Sequence, residues 1–478
     1  MHNIKFGTSG FRGIIGDNWT KENIQRIGAA LCQIAQSQNK KTNIIIGFDN
    51  RFMGRESAEW FCESFCTTTT TATFMTVPVP TPYIVYKAVT ADFGVMITAS
   101  HNAHQYNGIK IFTRGGKDID DEFCTNLMHI IGAENNTGGL NPSAPPADFG
   151  TLVKSGIVTL SDNTDDYVNK ICSLVDIPKI KSSGMRVLFN PMHGSSANIM
   201  KQLFQKFGLE YHAINNNPDP LFGGGMPAPY PYLLTSMAEA VKGKYHLGIA
   251  LDGDGDRITV IDSNGLICDV NYLTSAIFYF LTQIKKQKGG AVKSFVTSNL
   301  IVKVCKEYDR DVHETLPGFK YMGKAMHQYN ALMATESNGG MAFGQVSFSK
   351  DAVTAAAVII DMVAAFGKGV DEILAQITGM MAWRSEYLEF AYPFSASARE
   401  GILQKLLSPN KPTLPNIVKI DNFSDGFKIR LENDYWCAAR VSGTENAMRL
   451  YTEMPSQSDC QALIKTLEKF YGLTERQK

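Results

Sequence analysis

Four short runs constrain the fold of this chain more than any other feature: NIIIGFD at 43–49, FGVMIT at 93–98, MRVLFN at 185–190 and HLGIAL at 246–251. They are almost wholly apolar, without polar alternation, and read as strands covered on both faces. Helical spacing lies between them. Residues 20–37 put Ile24, Ile27, Leu31 and Ile34 on one face, and MRVLFN leads through PMHGSS into the helical stretch ANIMKQLFQKFG. Strands alternating with helices predict α/β layers.

The pattern restarts at MRVLFN; within the units on either side of that point GIKIF (108–112) follows FGVMIT, and ITVID (258–262) follows HLGIAL. A third unit holds SFVTSNLIVKVC, ETLPGFKYMG, ALMATESNGG and a helical run from Asp351 to Phe366. The C-terminal part differs: FKIRLE, WCAARVS and RLYTE read as strands, and 456–471 as a closing helix. The Pro-rich stretches 141–150 and 410–416 read as linkers. Thr67 to Thr71 suit a half-buried strand and imply no function.

A chain of 478 residues suggests about three domains from length alone. Lys plus Arg and Asp plus Glu each number 46, so the basic excess of a nucleic-acid-binding protein is absent. The nine cysteines are odd in number and contain no CxxC pair, which points to reduced thiols in a cytoplasm. MHNIKFGTSG has no apolar signal segment. The longest apolar stretch, Ala352 to Ile360, ends at Asp361, far short of the roughly 20 residues of a membrane span. A cytoplasmic protein with neither nucleic acid nor membrane as partner is expected.

Five segments carry chemistry. In TASHNAHQYNGIK (98–110) a strand stops at a polar turn. Ser100, His101 and Lys110 supply a nucleophile, a base and a positive charge, the types a phosphoryl carrier needs; a Ser/Asn-rich turn with His101 capping the backbone also accounts for them. The G-x-S-x-G of a serine hydrolase is missing. In DGDGDR (252–257) Asp252, Asp254 and Asp256 can converge on one hard cation, Gly253 and Gly255 letting the backbone curl. An EF-hand fails, because Arg257 and Ser263 stand where it needs Gly and Glu. A solvated acidic turn is the alternative, but three close carboxylates repel unless neutralised.

In RVSGTENAMR (440–449), Arg440, Ser442, Thr444 and the Gly443 N–H form either an anion cradle or a plain turn. Gly318 to Lys324 matches GxxxxGK, but Ala325 replaces the metal-binding Ser or Thr of a P-loop, so a substrate-contacting loop is the better reading. In FGTSGFRG (6–13), Arg12 sits in a Gly/Ser loop from which it could reach an anion.

In this order the five segments resemble the α-D-phosphohexomutase superfamily, over essentially the whole chain. FGTSGFRG is similar to its N-terminal pattern, residues 98–110 to its phosphoserine loop, DGDGDR to its metal loop, ETLPGFKYMG to the sugar-specificity loop of phosphoglucomutases, and RVSGTEN to its last phosphate loop. PDPLFGGGMPAP (218–229) is similar to a Pro-rich stretch of the second domain.

The resemblance implies four domains around a central cleft: three related α/β mixed-sheet units at 1–150, 151–263 and 264–380, and an α+β domain with a small antiparallel sheet at 381–478. It implies Ser100 as phosphate carrier, and Mg²⁺ between it and Asp252, Asp254 and Asp256. Lys110 would be general base or acid, His101 would assist proton transfer, and Arg12 and Arg257 would line the reacting centre. Thr315, Gly318, Lys320, Glu336 and Asn338 would contact the sugar, and Arg440, Ser442, Gly443 and Thr444 the idle phosphate.

The implied reaction interconverts glucose 1-phosphate and glucose 6-phosphate through glucose 1,6-bisphosphate, in a monomer or homodimer. Phosphomannomutase activity, net formation or release of the bisphosphate, and a non-catalytic sugar-phosphate-binding paralogue are the alternatives. Three departures stand out. Ala103 replaces a Pro after the Ser-His-Asn turn, Asn338 replaces a Ser, and Asn446 replaces a Pro.

Overall fold

The computed structural model describes residues 4, 6–7, 10–37, 41–65, 70–136, 147–443 and 445–473. Most of the Pro-rich stretch 141–150, part of the threonine run, and Thr444 lie outside them.

Among the described residues, four sheets organise the chain. The second orders its strands Glu210–Ala213, Arg186–Asn190, Leu247–Leu251, Ile258–Ile261. The third orders them Val312–Thr315, Ala291–Ser294, Met333–Thr335, Met341–Phe343. In both, the first three strands are parallel and the last is antiparallel. The first sheet holds the same arrangement at its centre: Thr70–Met75, Thr42–Phe48, Phe93–Ile97, Tyr106–Thr113. Short strands extend it on one side, and Val158–Ser161 on the other. The chain therefore stays with the first sheet beyond the boundary expected at 150. The fourth sheet has five antiparallel strands, with Glu386–Pro393 and Ile417–Phe423 at its edges.

The sequence pattern accounts for these elements. Ile24, Ile27, Leu31 and Ile34 are all buried on the helix Lys21–Ser37. The apolar run at 43–49 becomes a central parallel strand covered on both faces. The helix Ala352–Phe366 is buried for most of its length, capped by Asp351, whose side chain accepts from Thr354 N at 2.7 Å. No single helix among the described residues is long and apolar enough to cross a membrane. This helix joins a core that runs without a break through the first three units, from Ile45 through Phe204 and Ile249 to Ile359.

The fourth unit has its own core. It meets the third through Phe295 and Val296 against Trp436, Ala438 and Tyr451. The Pro-rich segment 410–416 is not a linker between units: it joins the helix Arg399–Leu407 to the strand Ile417–Phe423 within the fourth. Leu414 is buried there, and Lys411 donates to the carbonyls of Leu406 and Ser408.

Candidate active site

Four of the five chemistry-bearing segments lie at turns between two antiparallel strands; the loop at Gly318 instead joins the strand Val312–Thr315 to the helix Phe319–Tyr329. In the first three units such a turn joins the third strand to the fourth: Ser100 lies between Phe93–Ile97 and Tyr106–Thr113, the three aspartates between Leu247–Leu251 and Ile258–Ile261, and Glu336 and Asn338 between Met333–Thr335 and Met341–Phe343. The loop at 442–446 joins Trp436–Val441 to Ala447–Met454. In the three α/β units the loop thus sits at the carboxyl end of a parallel strand, where open α/β sheets place their ligands.

Ser100 is buried and has φ +54°, a left-handed conformation costly for a residue with a Cβ. Its Oγ donates to Asp252 Oδ2 at 3.1 Å, and His101 Nδ1 lies 3.4 Å from it. Burial, reinforced by Arg257 and Arg12, pushes the His101 imidazole far below its usual range and keeps it neutral.

Asp252, Asp254 and Asp256 are fully buried, with one carboxylate oxygen from each within 4.8 Å of the others. Gly253 permits the close approach: a Cβ there would stand 3.0 Å from Ser100 O. Gly255 adopts φ +69°. Thr81 of the first unit holds the loop, donating from Oγ1 to Asp254 Oδ2 at 2.5 Å and from its N–H to Asp254 O at 2.8 Å. Lys110 Nζ donates to Asp254 Oδ2 at 2.6 Å and to Asp256 Oδ2 at 2.7 Å. Burial opposes the Lys110 charge, but the two carboxylates outweigh it and hold the ammonium above its ordinary range.

Burial and repulsion from Asp254 and Asp256 push Asp252 well up. Burial also opposes the Asp256 charge, but Lys110, Lys350 and Arg257 outweigh it and hold that carboxylate low. Asp254 Oδ1 and Asp256 Oδ1 are buried without a hydrogen-bond partner. Buried, mutually repelling oxygens with orphaned lone pairs fit a hard divalent cation.

Arg12 Nη1 donates to Asn102 Oδ1, and Arg257 Nε lies 3.9 Å from Asp256 Oδ1. In the third unit Glu336 Oε1 accepts from Gly318 N at 2.7 Å, tying the two expected sugar loops together. Asn338 folds back on its own turn: Oδ1 accepts from Gly340 N at 3.0 Å and Nδ2 lies 3.4 Å from Glu336 Oε2. Thr315 Oγ1 donates to Leu316 O at 2.9 Å.

Lys320 lies in the first turn of the helix Phe319–Tyr329 and reaches to the first unit, its Nζ 2.6 Å from Asp121 Oδ1. The Arg440 fork closes on Asp425 Oδ2, at 2.9 Å from Nε and 2.7 Å from Nη2. Ser442 is buried beside it and Gly443 is exposed.

The α/β/α domains I, II and III described for phosphoglucomutase/phosphomannomutase match residues 3–137, 165–265 and 270–380. The chain belongs to this family. Among curated relatives, a phosphoglucosamine/phosphogalactosamine mutase of Sulfurisphaera tokodaii is 28% identical over 97% of this chain and 98% of its own. A phosphoglucomutase/phosphomannomutase of Thermococcus kodakarensis is 26% identical over 96% of each. A solved family structure from Burkholderia thailandensis shares the fold with a TM-score of 0.80, at 19% identity over 98% of both chains.

Within this phosphohexomutase frame, three contributors were not singled out from sequence. Lys350 Nζ lies 3.0 Å from Asp256 Oδ2, a cation brought to the aspartate loop by the third unit. Its path explains Gly340, where a Cβ would stand 2.7 Å from Lys350 Cδ. Arg399 holds the fourth loop, donating to Ser442 O at 2.7 Å and Glu445 O at 3.3 Å. Arg51 lies under the Ser100 turn. A lone Lys or Arg outside a recognisable loop gives no local signal; the D-x-R spacing of Asp49 and Arg51, next to the strand at 43–49, was the available hint for the last.

Proposed function

We propose that this phosphohexomutase interconverts glucose 1-phosphate and glucose 6-phosphate, with Ser100 as phosphate carrier and glucose 1,6-bisphosphate as intermediate. The observation that carries the reading is Ser100 Oγ at 3.1 Å from Asp252, beside three buried carboxylates with two orphaned oxygens. Asp252, Asp254 and Asp256, with the Ser100 oxygen, would hold Mg²⁺, which when bound supplies positive charge beside the transferring phosphoryl group.

The chain's own residues account for the rest. Ser100, carrying a phosphoryl group, faces the free hydroxyl of a bound hexose monophosphate. A P–O bond to the sugar oxygen forms as the bond to Ser100 Oγ breaks, and the proton lost by the sugar hydroxyl is balanced by the one the freed Ser100 oxygen takes up. Neutral His101 can pass a proton to or from the Ser100 oxygen, and Lys110 acts as a fixed positive charge and donor. Arg12, Arg257 and Lys350 bring further positive charge to the centre, where preorganised charge supplies most of the catalysis in phosphoryl transfer. Glu336, with the Gly318 turn, grips the sugar; Arg440, Ser442, Gly443 and Thr444 hold the phosphate that is not reacting. The bisphosphate then turns over, and its other phosphate returns to Ser100.

Ser100→Ala should abolish interconversion of glucose 1-phosphate, assayed with trace bisphosphate, while leaving the far-UV circular dichroism spectrum intact; near-wild-type turnover sinks the assignment. A second reading, an amino-sugar phosphate as preferred substrate, is favoured by the phosphoglucosamine mutases among the relatives. Comparing kcat/KM for glucose, mannose and glucosamine 1-phosphates on the purified protein separates the readings.

A further inference from the structure

The Ser100 turn holds a costly backbone conformation, and something must over-determine it. Its own sequence does not. Position 103, where a proline would fix φ, is alanine. The hydrogen bonds internal to the turn are few: Ser100 N to Thr98 Oγ1 at 2.8 Å, Asn102 N to Ala99 O at 3.1 Å and Tyr106 N to Ala103 O at 3.1 Å.

Beneath it lies Arg51, only 3% exposed. Its Nη2 donates to Ser100 O at 2.5 Å and Asn102 O at 2.6 Å, and its Nη1 to Ala103 O and Tyr106 O, both at 3.0 Å. One planar guanidinium thus ties the backbone on both sides of the nucleophile. It is itself fixed from both sides. Asp49 Oδ2 lies 3.3 Å from its Nε, and the same oxygen accepts from Thr98 Oγ1 at 2.5 Å. On the second unit, the Phe222 ring lies 4.9 Å away, at cation–π distance.

We propose that Arg51 is a positioning residue for phosphoryl transfer: it fixes the Ser100 turn in the geometry that aims Oγ at the aspartate loop, in the absence of proline at 103. This rests on the carrier role proposed for Ser100. Arg51 touches no reacting atom; its effect runs through four carbonyls. A lysine at 51 keeps the charge but loses the fork, so it cannot span them.

The experiment compares wild type, Arg51→Lys, Arg51→Lys with Ala103→Pro, and Arg55→Lys. Arg55 is a nearby, partly exposed arginine that pairs with Glu59 and does not touch the turn. Hydrogen exchange of the Ser100, Asn102 and Tyr106 amides is read without substrate, and kcat and KM are read separately. Arg51→Lys should speed exchange at these amides about tenfold or more. It should lower kcat about 30- to 100-fold, the scale of an ångström-size misplacement, with KM within about threefold. Added Ala103→Pro should recover most of both effects, and Arg55→Lys should leave both unchanged.

Unaltered exchange in Arg51→Lys, or no recovery with proline, overturns the proposal. If Arg51→Lys does not fold, Phe222→Leu removes the ring face at similar bulk and should shift exchange at the turn in the same direction, more weakly; no shift there would equally overturn it. A wild-type protein that transfers no phosphoryl group would defeat the carrier reading, whereas the exchange data test the clamp separately.

Discussion

Glu453 offers a quantitative test of how the fourth unit is attached. It is fully buried on the strand Ala447–Met454. Its Oε2 accepts from Asn299 N at 2.8 Å and from Trp436 Nε1 at 2.6 Å; its Oε1 accepts from Ser385 Oγ at 3.0 Å and from Ser298 Oγ. Asn299 and Ser298 belong to the third unit, so one carboxylate joins the two. Truncation to alanine strands the two N–H donors, which have fixed directions. The hydroxyls can turn elsewhere: Ser385 Oγ, for one, lies 2.9 Å from the Tyr272 hydroxyl.

A buried donor left unmatched costs about 1–3 kcal/mol. Two of them, with the cavity added, put Glu453→Ala at about 3–6 kcal/mol. Glu453→Gln is a different case. Its carbonyl can face the two N–H donors while its NH₂ meets the hydroxyls, which can accept. Only the charge assistance is lost, about 1–2 kcal/mol. Urea unfolding followed by tryptophan fluorescence, which includes buried Trp436, and by circular dichroism reads both variants. The first transition should move strongly in Glu453→Ala and mildly in Glu453→Gln. Equal shifts, or an alanine variant within about 1 kcal/mol of wild type, refute the hub.

Two further outcomes follow from the reacting centre. Mg²⁺ at about a hundred times its dissociation constant should stabilise the protein by about 2.7 kcal/mol, read as a rise in Tm that chelation reverses and Asp254→Asn removes; a wild type indifferent to Mg²⁺ would contradict the cation site. Burial, against the opposing pull of Arg51 and Thr98, raises Asp49 to about 6. Between the unfolded value near 4 and this one, the folded state holds the extra proton. This group's contribution to stability therefore falls as pH rises from about 4 to about 6 and is flat above. Acidification through pH 6 leaves Arg51 without its counter-charge. Exchange at the Ser100 turn, corrected for intrinsic rates, should then rise, and Asp49→Asn should flatten the response; a pH-independent turn in wild type counts against the linkage.

Layering was legible because burial on both faces leaves a continuous apolar run, as at 43–49 and 246–251, and because Ile24, Ile27, Leu31 and Ile34 mark one face of a helix. The strands Glu386–Pro393 and Ile417–Phe423 were not read from sequence. Both are sheet edges, the first mostly half-exposed and the second mostly exposed, so neither shows a clean alternation or a full apolar run. The three aspartates announced themselves because like charges two residues apart demand a neutraliser. Lys350, Arg399 and Arg51 did not, since each acts at a distance in sequence: Arg51 on carbonyls about fifty residues on, Lys350 on an aspartate about a hundred residues back. The three-fold repeat of the α/β units was also only half visible. Its restarts are apparent, but the shared strand order, and with it the common hairpin position of the loops, depends on pairings that composition does not encode.

That common position bears on how the chain divides two demands of the proposed reaction. Transfer at Ser100 needs the nucleophile, the aspartates and Lys110 fixed to well under an ångström. Turnover of a bisphosphate needs a phosphate grip and a sugar grip that serve either orientation. The core is built to match. The Ser100 and aspartate loops rise from units that share one uninterrupted apolar core, which resists deformation, and Thr81 and Lys110 cross directly from the first unit to the second. The loop at 442–446, proposed to hold the idle phosphate, rises from a unit with its own core, joined by a small aromatic patch and the polar hub at Glu453. Rigidity is concentrated where bonds would be made and broken, and the one loop that has only to hold a phosphate stands on the separately packed unit.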